Sequence, residues 1–84
     1  GDSLRGRLAL MILHGYFDGG ITGTAANKEL ERRTAKAAAV GSLYNELDEL
    51  VRLGFLLVEP AKDAKSGKKY HAVAEMKASI KEQP

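Results

Sequence analysis

The stretch Val40-Gly-Ser-Leu-Tyr-Asn-Glu-Leu-Asp-Glu-Leu-Val-Arg-Leu-Gly-Phe55 decides the fold of this chain. Its apolar residues recur at intervals of three and four, at Val40, Leu43, Tyr44, Leu47, Leu50 and Val51. This spacing predicts one continuous apolar stripe on an α-helix and does not fit the alternation of a strand. Gly54 predicts the end of that helix, near Leu53, and the apolar run from Phe55 predicts a strand directly after it.

A first helix is predicted from Asp2 or Ser3, either of which can cap it, to about Phe17. Its main apolar stripe is Leu4, Leu8, Met11, Ile12 and Tyr16. Leu10 and Leu13 make the helix apolar on most sides, so we expect it to lie centrally and to be packed by the other helices. The glycines at 19 and 20 predict the turn that ends it.

The segment between the first and third helices predicts a short strand and a second helix. Residues 21–23 are long enough for the strand, and Thr24 is the expected N-cap of a helix from about Ala25 to Arg33. Ala26 and Leu30 are expected to face inward. A turn around residues 34–36 is expected to separate this helix from the third one.

After the third helix the sequence predicts a hairpin. Residues 55–59 form the first strand, which Pro60 ends because it cannot donate to a ladder. Residues 61–67 form a polar loop, 68–75 the return strand, and 76–82 a short helix or a frayed end. This order predicts an α+β winged helix-turn-helix fold, a three-helix core with a two- to three-stranded antiparallel wing, whose third helix usually enters the DNA major groove.

Length and composition limit the functions that this chain can have. The 84 residues make one small domain, assigned to residues 2–80, with Gly1 interpreted as a remnant of tag cleavage and 81–84 as a frayed tail. The absence of cysteine excludes disulfides and thiolate metal sites, and no apolar run approaches the roughly 18 residues of a membrane span. The net charge of +2 is mildly basic. We expect a cytoplasmic or nucleoid-associated protein.

Several of these residues resemble a known family. Gly41-Ser42-Leu43-Tyr44, then Leu53-Gly54-Phe55-Leu56, and later Gly67-Lys68-Lys69-Tyr70 are similar to the winged-helix core of PadR-like transcriptional regulators. The resemblance spans residues 40–75. The chain departs from the family at Val40, where the family has proline, and after the wing, where the family adds a long dimerising helix. The resemblance implies DNA binding by the third helix and the wing, at Gly41, Ser42, Tyr44, Lys68, Lys69 and Tyr70.

Two basic clusters support a nucleic-acid interface. The first comprises Lys28, Arg32, Arg33 and Lys36, and the second comprises the wing residues Lys62, Lys65, Lys68 and Lys69. In a winged helix these clusters flank the third helix, so we expect them to contact DNA phosphates on either side of it. An ordinary solvated surface is the alternative explanation for each cluster taken alone.

The exposed side of the third helix argues in the other direction. It carries Asn45, Glu46, Asp48 and Glu49 and has no basic residue before Arg52. Base reading is therefore expected to rest on Ser42, Asn45 and Lys36. The alternative function is a protein-interaction domain that docks through this acidic helix or the wing, and a further alternative is the DNA-binding domain of a replication or mobile-element protein.

The remaining polar residues predict no chemistry. Tyr44 is expected in the core stripe with its hydroxyl at the rim, and Tyr70 either packs the wing onto the core or contacts a phosphate. Two isolated histidines and no cysteine give no metal site, and no nucleophile–base pair or phosphate-binding glycine loop is present. We expect a non-enzymatic domain without a cofactor, and homodimerisation through the apolar first helix stays open.

Overall fold

A computed structural model describes residues 3–34, 36–63 and 65–81 of the chain. The helices are α1 (Leu4–Leu13), α2 (Gly23–Thr34), α3 (Val40–Arg52) and α4 (Ala74–Lys81). The strands are β1 (Ile21–Thr22), β2 (Leu56–Glu59) and β3 (Lys69–Ala72). The described part of the chain is therefore a mixed α+β domain with four helices and one sheet.

The sheet is antiparallel and has the order β1-β3-β2. Its middle strand is β3, and Tyr70 on that strand lies between Ile21 of β1 and Val58 of β2. The first strand of the chain therefore pairs with the last one, although α2, α3 and β2 lie between them in the sequence.

The core joins the first three helices to the sheet. Its fully buried members are Leu8, Met11, Ile12, Phe17, Ala26, Leu30, Leu43, Leu47, Leu50, Leu56 and Tyr70. The predicted stripe of the third helix is confirmed at Leu43, Leu47 and Leu50, and the inward residues of the second helix are confirmed as well. The stripe begins later than predicted, because Val40 is 64% exposed.

The predicted end of α3 is confirmed. Gly54 has φ +90°, the Gly54 N–H donates to Val51 O, and the Phe55 N–H donates to Leu50 O. These two hydrogen bonds satisfy carbonyls that the last turn of a helix otherwise leaves unpaired. The chain then enters β2 one residue later, at Leu56.

The predicted end of the first helix was wrong by four residues. Gly15, at φ +89°, closes α1 after Leu13 with the same pair of hydrogen bonds, from Gly15 N–H to Ile12 O and from Tyr16 N–H to Met11 O. Tyr16 therefore leaves the apolar stripe and is 39% exposed. At the other end Ser3 is the cap, since its hydroxyl accepts the Gly6 N–H, while Asp2 lies outside the described residues.

The second helix starts earlier than predicted. Its capping side chain is that of Thr22, not Thr24, because the Thr22 hydroxyl accepts the Ala25 N–H at 3.1 Å. The strand β1 consequently ends at Thr22, and Gly23 belongs to α2. The expected break follows Thr34, although Ala35 within it lies outside the described residues.

The return strand is shorter than predicted. It ends at Ala72, and α4 begins at Ala74 in place of the expected strand residues up to Glu75. Lys81, the first residue of the expected tail, is the last residue of α4. Gly1 and residues 82–84 lie outside the described residues. None of the helices in the described ranges is long and apolar enough to cross a membrane.

Candidate nucleic-acid interface

The helix α3 presents small and uncharged residues to solvent in its first half and charged residues in its second half. Its exposed residues after Val40 are Gly41, Ser42, Asn45, Asp48 and Arg52. They recur every three to four residues opposite the buried stripe, as expected for an amphipathic helix. The predicted contacts Gly41, Ser42 and Asn45 thus lie together on one accessible surface.

Two of the three acidic residues of α3 are bonded within the domain. Arg5 of α1 donates from Nε to Glu46 Oε2 at 2.8 Å, and Arg52 donates to both oxygens of Glu49. These hydrogen bonds raise the pKa of Arg5, raise that of Arg52 and lower that of Glu49. Glu46 and Glu49 are half-buried and compensated, so the acidic face expected from sequence was wrong. Among the described residues of α3, Asp48 alone is an acid without an ion pair.

A side-chain amide fixes the connection that leads into α3. Asn27 of α2 accepts the Ala38 N–H at Oδ1 (2.9 Å) and donates from Nδ2 to Ala38 O (3.1 Å). The Thr34 hydroxyl lies 2.7 Å from Leu30 O and 3.0 Å from Lys36 O, within hydrogen-bonding distance of both. No side chain caps α3 at Ala39, so these bonds set where the helix begins.

A groove of about 300 Å³ separates α2 from the start of α3. Lys28 and Glu31 line it on one side, and Val40 and Tyr44 line it on the other. The helices approach closely at Gly23, where a Cβ atom would lie 2.5 Å from the Tyr44 hydroxyl oxygen. Glycine at this position lets half-buried Tyr44 pack against α2, which places Lys28 beside the N-terminal turn of α3.

The basic residues predicted on the second helix do not form one cluster. Lys28 lies in the α2–α3 groove, whereas Arg32 is bonded to Glu29 at 3.0 Å. Arg33 turns towards the end of α1, where Nη2 lies 3.2 Å from His14 Nδ1 and the guanidinium lies 5.2 Å from the centre of the Tyr16 ring. These three side chains therefore have different neighbours, and their contact with phosphates stays a prediction. Lys36 is exposed just beyond α2.

The loop between β2 and β3, residues 60–68, is called the wing loop. Lys62, Lys65, Lys68 and the adjoining Lys69 are all exposed. Asp63 Oδ1 accepts the backbone N–H groups of Lys65 and Ser66, each at 2.9 Å. Hydrogen bonds from Ser66, followed by the one from Lys65, lower the pKa of Asp63. The aspartate thus holds the turn, and none of the four lysines has an acidic partner among the described residues.

Tyr70 cannot contact a phosphate from its position in this fold. The side chain is fully buried, and its hydroxyl has no hydrogen-bond partner within the described ranges. Burial, with smaller contributions from Asp48 and Tyr44, raises the pKa of Tyr70. The assignment of Tyr70 to the interface was wrong, because its position in the register of β3 turns it into the core.

Sequence reasoning missed two residues that shape this surface, Arg5 and Asn27. Their partners, Glu46 and Ala38, lie 41 and 11 residues away along the chain. Neither pair has a signal in the local sequence pattern.

Comparison of the chain with protein-family models, with curated proteins and with solved structures gives no match.

Proposed function

We propose that this chain is a winged-helix DNA-binding domain of a transcriptional regulator. In this proposal α3 enters the major groove and the wing loop lies along a neighbouring phosphate strand. The observation that carries it is the distribution of charge. Glu46 and Glu49 are bonded to arginines, while six lysines have no acidic partner in the described residues: Lys28, Lys36, Lys62, Lys65, Lys68 and Lys69.

The architecture is compatible with this function. Along the chain the elements follow the order α1, β1, α2, α3, β2, β3, and in the sheet the strands have the order β1-β3-β2. Both orders are compatible with a winged helix. The exposed face of α3 begins with Gly41 and Ser42, whose small side chains permit a close approach to a groove wall. Lysines on the wing loop and beside the start of α3 would supply the phosphate contacts that position such a helix.

Base reading would rest on few side chains. Asn45 is exposed, and an asparagine can bond bidentately to adenine in the major groove. Asp48 can accept a hydrogen bond from cytosine but repels phosphates. Arg52 is occupied by Glu49. We therefore expect affinity to be mainly electrostatic and sequence preference to be modest.

Removal of the wing charges tests the proposal. A labelled DNA duplex is titrated at low salt with wild type, Lys68→Gln, Lys69→Gln and their double variant. The matched control is Lys77→Gln, which removes the same charge from α4, where Lys77 is bonded to Asp18 at 2.9 Å. We expect each wing variant to weaken binding and the double variant to weaken it further, with little effect of the control. Equal losses in Lys68→Gln and Lys77→Gln would contradict a role for the wing.

A protein-interaction domain is the second candidate. The sequence suggests it through the acidic residues of α3, but two of these acids form ion pairs with arginines of the same domain. A different observation favours it: β2 is an edge strand, and its Leu57 and Val58 are 62% and 41% exposed. Exposed apolar edge strands are sites where another chain can pair. Leu57→Asp is expected to abolish capture of such a partner and to preserve DNA binding, whereas a loss of DNA binding would tie this edge to the first proposal.

A replication or mobile-element protein would use the same DNA contacts. Such a protein would differ from a transcriptional regulator in its cellular process and not in its DNA-binding surface. The charge-removal experiment therefore tests both proposals equally.

A further inference from the structure

A second groove, of about 180 Å³, lies between α1 and α2. It is lined by Arg7, Leu10, Met11, Leu30, Arg33 and Thr34. Met11 and Leu30 are core residues that lie beneath the groove with almost no exposed surface, whereas Leu10 is 48% exposed. This groove lies on the side of α2 that faces α1, and it shares no lining residue with the α2–α3 groove.

Arg7 gives the groove an unsatisfied donor. Its Nε atom is buried and has no hydrogen-bond partner in the described part of the chain. No acidic side chain in the described ranges pairs with it either. A buried donor without an acceptor is costly, and a guanidinium prefers a carboxylate that it can bind through two parallel hydrogen bonds. Arg7 therefore places a positive charge without an acidic partner in the wall of the groove, and this charge attracts an anionic ligand.

Arg33 provides a second positive charge on the rim of the same groove. It contacts the His14 ring at 3.2 Å and the face of Tyr16 at 5.2 Å, and it has no acidic partner among the described residues. Stacking on Tyr16 orients the guanidinium without neutralising it. Two arginines and exposed Leu10 thus line the same groove.

We propose that the α1–α2 groove binds an acidic amphipathic helix of a partner protein. Carboxylates of the partner would pair with Arg7 and Arg33, and an apolar side chain would cover exposed Leu10. A peptide fits better than a small organic acid because exposed Tyr16, which lies outside the lining, extends the apolar surface beyond the groove. This inference does not depend on DNA binding.

A second copy of this chain fits the groove poorly. In a two-fold symmetric dimer the same patch faces itself, so Arg7 and Arg33 of one protomer would lie close to those of the other. Like charges at such short range oppose association. The charge of the groove therefore favours a partner of opposite sign.

The test uses a fluorescein-labelled helical peptide with glutamates and leucines on one face, and a matched peptide with glutamine in place of glutamate. Fluorescence anisotropy is measured with wild type, Arg7→Gln and Arg33→Gln. The control is Arg32→Gln, an exposed arginine on the same helix that is bonded to Glu29. We expect saturable binding of the acidic peptide alone, a loss of about tenfold in each groove variant, and no change in the control.

Several results would overturn the inference. These are no saturable binding to wild type, equal binding of the glutamine peptide, or an equal loss in Arg32→Gln, which would indicate unspecific charge attraction. Displacement of the peptide by octanoate would assign the groove to a small carboxylic acid instead. Self-association by sedimentation that Arg33→Gln strengthens would assign it to a second copy. Arg33 is exposed, so its variant keeps the test valid even if Arg7→Gln does not fold.

Discussion

The side-chain amide of Asn27 bonds to both polar groups of the Ala38 backbone, accepting its N–H at 2.9 Å and donating to its carbonyl at 3.1 Å. Ala38 lies two residues before α3, and Ala39 at the N-cap position offers no capping side chain. One residue of α2 therefore fixes the point from which the proposed recognition helix starts. This contact joins the start of α3 to α2, in addition to the close packing of Tyr44 against Gly23.

Replacement of Asn27 by alanine is expected to destabilise the domain by about 1–3 kcal/mol, because two half-buried backbone groups lose their partners. Urea denaturation measures the free energy of unfolding. Asn27→Asp keeps the acceptor for the Ala38 N–H but places a carboxylate oxygen against the Ala38 carbonyl, so it should also destabilise the domain. The control is Asn45→Ala on the exposed face of α3, expected within about 0.5 kcal/mol of wild type. If Asn27→Ala were as stable as wild type, the contact would not hold the helix.

Two helical glycines should respond in opposite directions to alanine. At Gly23 the new Cβ would lie 2.5 Å from the Tyr44 hydroxyl and 2.6 Å from two ring carbons, so the ring must shift. We expect a loss of about 1–3 kcal/mol from this overpacking. At Gly41 the new Cβ would meet no atom of the described residues within 4 Å outside its chain neighbours and its own helix backbone, so alanine should stabilise the helix by about 0.5–1 kcal/mol. Thermal unfolding of both variants checks the pair, and a stable Gly23→Ala would refute the close approach of α2 to Tyr44.

Tyr70→Phe separates a core role from a phosphate contact. The hydroxyl is buried without a partner in the described residues, so its removal should be neutral or stabilising. Binding to a DNA duplex should not change. A clear loss of DNA affinity with unchanged stability would show that the hydroxyl reaches the nucleic acid after all.

Asp48→Asn should strengthen DNA binding. Asp48 is exposed on α3 without an ion pair in the described part of the chain, so it repels phosphates in the proposed complex. Removal of one such charge is expected to raise affinity roughly fivefold at low salt and less at high salt. Glu75→Gln, at an exposed acid of α4, is the control and should have little effect. Equal gains in the two variants would mean that only net charge matters.

The fold was predictable where one local pattern determined it. The apolar spacing of 43–50 and the glycine at 54 correctly predicted both α3 and its end, because a helix with one buried stripe and a glycine stop requires no distant information. The element boundaries were predicted wrongly where the local sequence favoured more than one end point. Gly15 ends α1 although apolar residues continue beyond it, and the alanines at 72 and 74 fit both the end of β3 and the start of α4.

The candidate site was less predictable because its properties come from long-range pairs. The sequence showed an acidic third helix, but it did not show that Arg5 would neutralise Glu46. It grouped Lys28 with Arg33 by proximity along the chain, although the fold turns them towards different neighbours. The same limit applies to Tyr70, whose inward direction is set by the register of β3 with β1 and β2.

The salt dependence of DNA binding tests the central claim most directly. A labelled duplex is titrated with the wild-type protein at several salt concentrations, and the logarithm of the binding constant is plotted against the logarithm of the salt concentration. Four to six lysine–phosphate contacts predict a slope of about −4 to −5, since each contact releases a bound counterion. A slope near zero, or no binding at low salt, would contradict the DNA-binding function and favour a protein partner.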